Sequence, residues 1–341
     1  MSSVLSAQPE VILKELGRLW TSVGEDEHSK GKPSVLRACA MTLIIATDTE
    51  DTDAFEATQT VISLMQAHPS RAIFLRRSPD AENGISARVL AQCWMPFGKA
   101  QQICCEQVEI DATGERWIEV GPTLRGIIVP DLPVVVWCRQ RSLLWGESLN
   151  GNPGWDTILP LATKVIADTA DASAAGAAPL RQALDTISLW QTDDRAAGDL
   201  EWTRLTPWRE AIADAFDDPQ LLAQRESFHS VEITTASHAQ SSAALYLFGW
   251  LAGRLTLTPS FTTVESGTPG LVRVALRGSG TSVVLERNSP ECMRLTVGDR
   301  GHSFSMRPPS LFNLMHEELT VLGRDDEFRA ALPRARALLG A

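Results

Sequence analysis

The chain has 341 residues, and 42 acidic against 31 basic side chains give it a formal net charge of −11. Its 44% hydrophobic and 21% charged residues make a globular composition that excludes disorder, collagen-like repetition and a disulfide-dense miniprotein. The acidic balance argues against a broad nucleic-acid or anionic-membrane surface, and this length suits two domains better than one core.

Residues Met1–Glu10 lack the basic start and apolar run of a signal peptide. The most apolar stretches, around Ala40–Ala46, Leu132–Trp137 and Ala243–Gly253, fall short of the roughly 20 residues that span a bilayer. Six cysteines do not form a disulfide framework, so the expectation is a soluble, cytoplasmic protein with reduced thiols and no membrane or nucleic-acid partner.

In chain order, Pro9–Val23 places Ile12, Leu16, Leu19 and Trp20 at helical spacing and predicts an amphipathic helix, with Gly24–Pro33 a charged loop. Val35–Thr47 predicts one long strand, its second half apolar on both faces as in a sheet covered on both sides. The acidic stretch Asp48–Asp53 precedes a helix over Ala54–Ala67, where carboxylates suit the positive end of the dipole. Arg71–Arg77 is the next strand, completing a βαβ unit with an expected right-handed crossover. Ile85–Met95 and Ile103–Ile110 predict strands, Pro122–Val129 a helix, Leu132–Cys138 a buried strand, and Trp155–Ala170 a helix followed by a strand.

Residues 167–180 are small and low in bulky apolar groups, and read as a linker or as the start of an Ala-rich helix. Beyond them Leu180–Leu189, Pro207–Phe216, Pro219–Arg225 and Gln240–Leu255 predict helices and Val231–Thr235 a strand. Leu271–Arg277 and Ser282–Arg287 flank a Gly-rich break that signals a hairpin. Met293–Val297 and Ser303–Met306 extend the meander, and the helices Ser310–Leu322 and Asp325–Leu339 follow. The fold class is therefore an α/β N-terminal domain with a layered, mostly parallel sheet, plus an α+β C-terminal domain with an antiparallel sheet. The expected divisions are residues 1–33 (helix and loop), 34–170 and 171–341.

Familiar catalytic signatures are missing from the sequence: it has no phosphate-loop or dinucleotide glycine motif, no nucleophile elbow, no H-E-x-x-H and no C-x-x-C. The six histidines show no metal-ligand spacing. No metal and no cofactor is expected. Three segments stand out. His68-Pro69-Ser70-Arg71 either meets a phosphate or partner carboxylate, or is the punctuation between a helix and a strand. Trp137 and Arg139 leave a buried strand at the end where α/β sheets bind ligands, or Arg139 is a solvated strand exit. Trp202, Arg204, Trp208 and Arg209 combine residue types found at interface hot spots, or they anchor a helix within its own domain. Cys104 and Cys105, as neighbours, are expected to be free thiols in alternating orientations.

Several short segments in register resemble one family: Leu36-Arg37-Ala38-Cys39, His68-Pro69-Ser70-Arg71, Asp131-Leu132-Pro133-Val134 continuing to Trp137, Leu200-Glu201-Trp202, Pro207-Trp208-Arg209 and Leu247–Arg254. From about residue 34 onward the chain resembles the OpcA family, the glucose-6-phosphate dehydrogenase assembly proteins. The resemblance implies a non-catalytic partner that assembles or allosterically activates glucose-6-phosphate dehydrogenase in the oxidative pentose phosphate pathway, with no catalytic residue set. A sugar-phosphate-binding enzyme or metabolite sensor, using His68, Arg71 and Arg139 as phosphate contacts, is the alternative.

Overall fold

A computed structural model describes residues 4–27, 34–48, 51–78, 84–95, 101–146, 154–236, 238–267 and 269–340. The chain divides into two compact units. One comprises Met1–Ala167, Thr192–Ala196 and Met315–Gly323; the other comprises Asp168–Gln191, Ala197–Leu314 and Arg324–Ala341.

The first unit is built on the strands β1 (Leu5–Ser6), β2 (Ser34–Arg37), β3 (Met41–Asp48), β4 (Ser70–Ser78), β5 (Ile85–Trp94), β6 (Gln101–Thr113), β7 (Val134–Cys138) and β8 (Lys164–Ala167), with β9 (Ala196–Asp199) starting in it. Among the described residues their order is β1-β5-β6-β4-β3-β7-β8-β9, with β2 also paired to β6. Pairs β3–β4, β3–β7, β4–β6, β7–β8 and β2–β6 are parallel, whereas β5 runs antiparallel to both β6 and β1. Counting β3, β4, β6, β7, β8 and β9 as first to sixth gives the 3-2-1-4-5-6 order of doubly wound nucleotide-binding folds. Ile44, Ile45 and Ala46 of β3 and Val135, Val136 and Trp137 of β7 are wholly buried, as central strands covered on both faces must be.

The predicted single strand over Val35–Thr47 is two strands. Ala40 donates its N–H to the Pro69 carbonyl at 2.7 Å, so β2 turns to β6 while β3 enters between β4 and β7. The first helix runs on to Glu27, beyond the predicted boundary; residues 28–33 of the expected loop lie outside the described residues. The thiol expectation is overturned at two positions: Cys93 and Cys104 form a disulfide. The β5–β6 register sets Cys93 directly opposite Cys104, a proximity invisible in linear spacing. Cys39, Cys105, Cys138 and Cys292 are not disulfide-bonded.

The second unit carries a six-stranded sheet among its described residues: β10 (Phe228–Thr235), β11 (Thr258–Thr263), β12 (Leu271–Gly278), β13 (Thr281–Ser289), β14 (Cys292–Val297) and β15 (Arg300–Ser305), in the order β11-β10-β12-β13-β14-β15. All pairs are antiparallel except β10–β11. Gly280 (φ +81°) and Gly298 (φ +56°) occupy left-handed positions in the β12–β13 and β14–β15 turns. The stretch that reads as linker is helical over Ala170–Ala175 and from Ala177 on to Trp190. Ala172 within it and Ala183 just beyond it are wholly buried. The helix Ser242–Leu251 is buried along its entire length. A Cβ at Gly249 would meet the Ala331 carbonyl at 2.5 Å, so glycine is what allows the helix Asp326–Ala337 to approach so closely. No helix among the described residues is long and apolar enough to cross a membrane.

Candidate functional site

In the first unit, Glu106 on β6 is the hub. Its Oε1 accepts from Trp20 Nε1 at 2.5 Å and pairs with Arg37 at 2.6 Å, while Oε2 accepts from Arg71 Nε at 2.6 Å. Arg71 also donates to the Ile127 carbonyl. With both Arg71 and Glu106 buried, the arginine is committed to holding β4, β6 and the helix Val120–Ile127 together. Arg71→Ala leaves a buried carboxylate short of its partner, so the variant is expected to lose about 3 kcal/mol in chemical denaturation. Full retention of stability would show that Arg37 and Trp20 alone satisfy Glu106.

His68, at the turn into β4, meets His316: Nε2 of one ring lies 2.8 Å from Nδ1 of the other. Burial, followed by the charge of His316, pushes the His68 pKa down. Nearby, Lys164 of β8 pairs with Glu318 at 2.6 Å and donates to the carbonyls of Glu318 and Val321. Burial pushes the Cys105 thiol up to about 11 and raises that of Cys39.

At the other end of the sheet, Trp137 is fully buried on β7 and Arg139 lies over its ring, 4.8 Å from the centroid. Arg139 pairs with Glu56 at 2.7 Å. Arg71 is level with Thr42, and Arg139 lies one residue past the Ala46–Cys138 pair. Five residues of strand separate them, about 16 Å at ~3.3 Å per residue. His68, Arg71 and Arg139 therefore do not converge on a single phosphate.

In the second unit the Trp- and Arg-rich segment is interior. Trp202 and Trp208 are each 2% exposed. Trp202 donates to Asp325 Oδ2 at 2.7 Å and packs on Tyr246 and Phe328. Arg209 stacks on Trp202 at 3.7 Å, and Arg287 lies over Trp208. Arg204 grips Asp168 through two nitrogens at 2.8 and 2.6 Å and Glu201 at 2.7 Å. Burial opposes its charge, yet Asp168 and Glu201 together hold its pKa above the ordinary value.

Beside this cluster sits Asp199, a residue that carries no motif. It caps the helix Leu200–Arg204, accepting from the N–H of Glu201 at 2.9 Å. It also accepts from the N–H and hydroxyl of Thr169 and from the Tyr246 hydroxyl at 2.6 Å. Complete burial, reinforced by the charge of Asp168, pushes its pKa up to about 7. The sequence signal was present: an aspartate immediately before a short helical run is an N-cap pattern. Among the described residues no group of three or more metal-ligating side chains is gathered.

The sheet order and the second α+β unit define the class first: a doubly wound α/β unit and an α+β unit in one chain. The chain shares that fold with glucose-6-phosphate 1-dehydrogenase from Mycobacterium avium, at a TM-score of 0.50 and 10% identity over 88% of this chain and 92% of that one. Two family models then match in tandem, described as the glucose-6-phosphate dehydrogenase subunit N-terminal domain (residues 61–184) and C-terminal domain (residues 195–332). The chain belongs to the OpcA family. It is 28% identical over 209 residues to an OxPP cycle protein OpcA of Synechocystis sp., covering 60% of this chain and 41% of that protein. A relative from Nostoc punctiforme is likewise 28% identical, over 61% of this chain and 42% of its own length. The matched stretches thus span less than half the length of these relatives.

Proposed function

We propose that this chain is a non-catalytic partner of glucose-6-phosphate dehydrogenase that docks on the enzyme and favours its active, assembled state. One observation carries the reading beyond family membership. In the dinucleotide-type order, the first strand–helix junction runs from β3, ending at Asp48, to the helix beginning at Asp51. Folds that bind a dinucleotide place glycines there, to let a pyrophosphate approach the helix N-terminus. Here the sequence is Asp48-Thr49-Glu50-Asp51-Thr52-Asp53, four acidic residues and no glycine. A dehydrogenase-type fold with that junction suits association with an enzyme better than nicotinamide chemistry of its own.

Of the residues singled out from the sequence, His68, Arg139, Arg204 and Arg209 keep partial exposure, and these are the ones a partner can touch. Arg71, Trp137, Trp202 and Trp208 act through the fold. An activator works only by binding the active arrangement more tightly than the inactive one. The test is the kinetics and assembly state of the cognate dehydrogenase with and without the full chain. A lowered KM or raised kcat with a co-eluting complex is expected; unchanged kinetics together with no complex overturns the reading.

A further inference from the structure

The two outer strands of the second unit's sheet differ. β11 carries Pro259, which has no N–H to offer a neighbour. β15, Arg300-Gly301-His302-Ser303-Phe304-Ser305, has no proline, no lysine and no register break against β14, so it lacks the devices that usually guard an open edge. Its residues are exposed except Phe304, which is half-buried.

The Met306 N–H donates to the Glu291 carbonyl at 2.9 Å. By alternation in an antiparallel ladder, Arg300, His302 and Phe304 turn their main-chain groups toward β14. Gly301, Ser303 and Ser305 therefore present theirs outward, and none of those groups has a main-chain partner among the described residues.

We propose that this edge pairs with the same edge of a second copy of the chain, antiparallel about a two-fold axis through Ser303. In that register Ser303 faces its own counterpart and Gly301 faces Ser305, each pair exchanging both main-chain hydrogen bonds. His302 of each copy opposes Phe304 of the other, extending the contact the two rings already make within one chain at 6.0 Å. Arg300 opposes Met306, and Asp299 opposes Arg307, an opposite-charge pair formed twice. No like charges face each other, as an isologous contact requires. The product is one sheet continuous across both copies.

The test uses the full chain. Sedimentation should show a monomer–dimer equilibrium. Ser303→Pro removes an outward N–H at a position where edge strands tolerate proline, so it should shift that equilibrium at least tenfold toward monomer while leaving the thermal unfolding of the dilute monomer little changed. Ser303→Cys, placed on the axis, should give a disulfide-linked dimer on a non-reducing gel that the parent chain lacks. Asp299→Arg should weaken the dimer, and Asp299→Arg with Arg307→Asp should restore it. A chain that stays monomeric at all concentrations, or a dimer indifferent to Ser303→Pro, overturns the proposal. So does a Ser303→Pro variant that loses only its complex with the dehydrogenase, because the edge would then belong to that partner.

Discussion

Asp199→Ala is expected to cost about 4 kcal/mol and to bring the second unit close to unfolding. The carboxylate receives the N–H and hydroxyl of Thr169, the N–H of Glu201 and the hydroxyl of Tyr246. All four donors lose their acceptor in a place where no water is exposed, at about 1–3 kcal/mol for each group left unsatisfied and with partial relaxation. Asp199→Asn is the informative companion, because it resembles the protonated acid. With its pKa pushed up to about 7 by burial, Asp199 keeps its proton in the fold where the unfolded chain has released it, the Thr169 or Tyr246 hydroxyl at Oδ2 turning to accept from it. Its stabilising contribution is complete below about pH 4 and declines as pH rises, levelling off above about 7. The decline is on the order of 3–4 kcal/mol. Denaturant unfolding at pH 5, 6, 7 and 8 should show the wild type losing stability relative to Asp199→Asn as pH rises. Parallel curves for the two proteins would mean that Asp199 is ionised throughout.

Glu318→Ala should have an effect of similar size in the first unit. Lys164 is 5% exposed and Glu318 9%, and they meet at 2.6 Å. Removing the carboxylate strands a buried ammonium on two carbonyls, those of Glu318 and Val321, at a cost of about 3–5 kcal/mol. Replacing both partners by Lys164→Met and Glu318→Leu should recover most of that loss, since an apolar pair of similar volume needs no compensation. A double-mutant cycle from chemical denaturation measures the coupling. Additive single effects would show that the pair is solvated and contributes little. A strong coupling would identify Lys164 as the anchor that holds residues 315–323 against β8.

Much of the fold could be read in the sequence, because burial on both faces writes itself plainly: Val134–Cys138 is five apolar residues and all five are buried. The hairpin over residues 271–287 was equally legible from its glycine-rich turn. What escaped was decided by tertiary pairing. β9 is Ala-Ala-Gly-Asp, with no side chain large enough to show a period. The break between β2 and β3 depends on a carbonyl at Pro69, and the Cys93–Cys104 bond depends on hairpin register. Of the site, the Trp and Arg residues were conspicuous by type, yet type alone does not separate an interface anchor from a core anchor. Trp202 and Trp208 lie inside because Asp325, Tyr246 and Phe328 from distant segments close over the first, and Arg287 lies over the second. Asp199 shares its N-cap pattern with other acids before helices, and only its four donors set it apart from them.

The helix Ser242–Leu251 has no polar side, and the helix that covers it through Gly249 is encoded far downstream, at Asp326–Ala337. During synthesis the ribosome delivers the greasy segment first, and its cover arrives only after the whole β12–β15 meander has emerged. For that interval the nascent chain displays Leu245, Leu247 and Trp250 to water or to any chaperone within reach. A truncation before residue 326 would make that interval permanent, and the shortened product would aggregate rather than persist as a smaller folded protein.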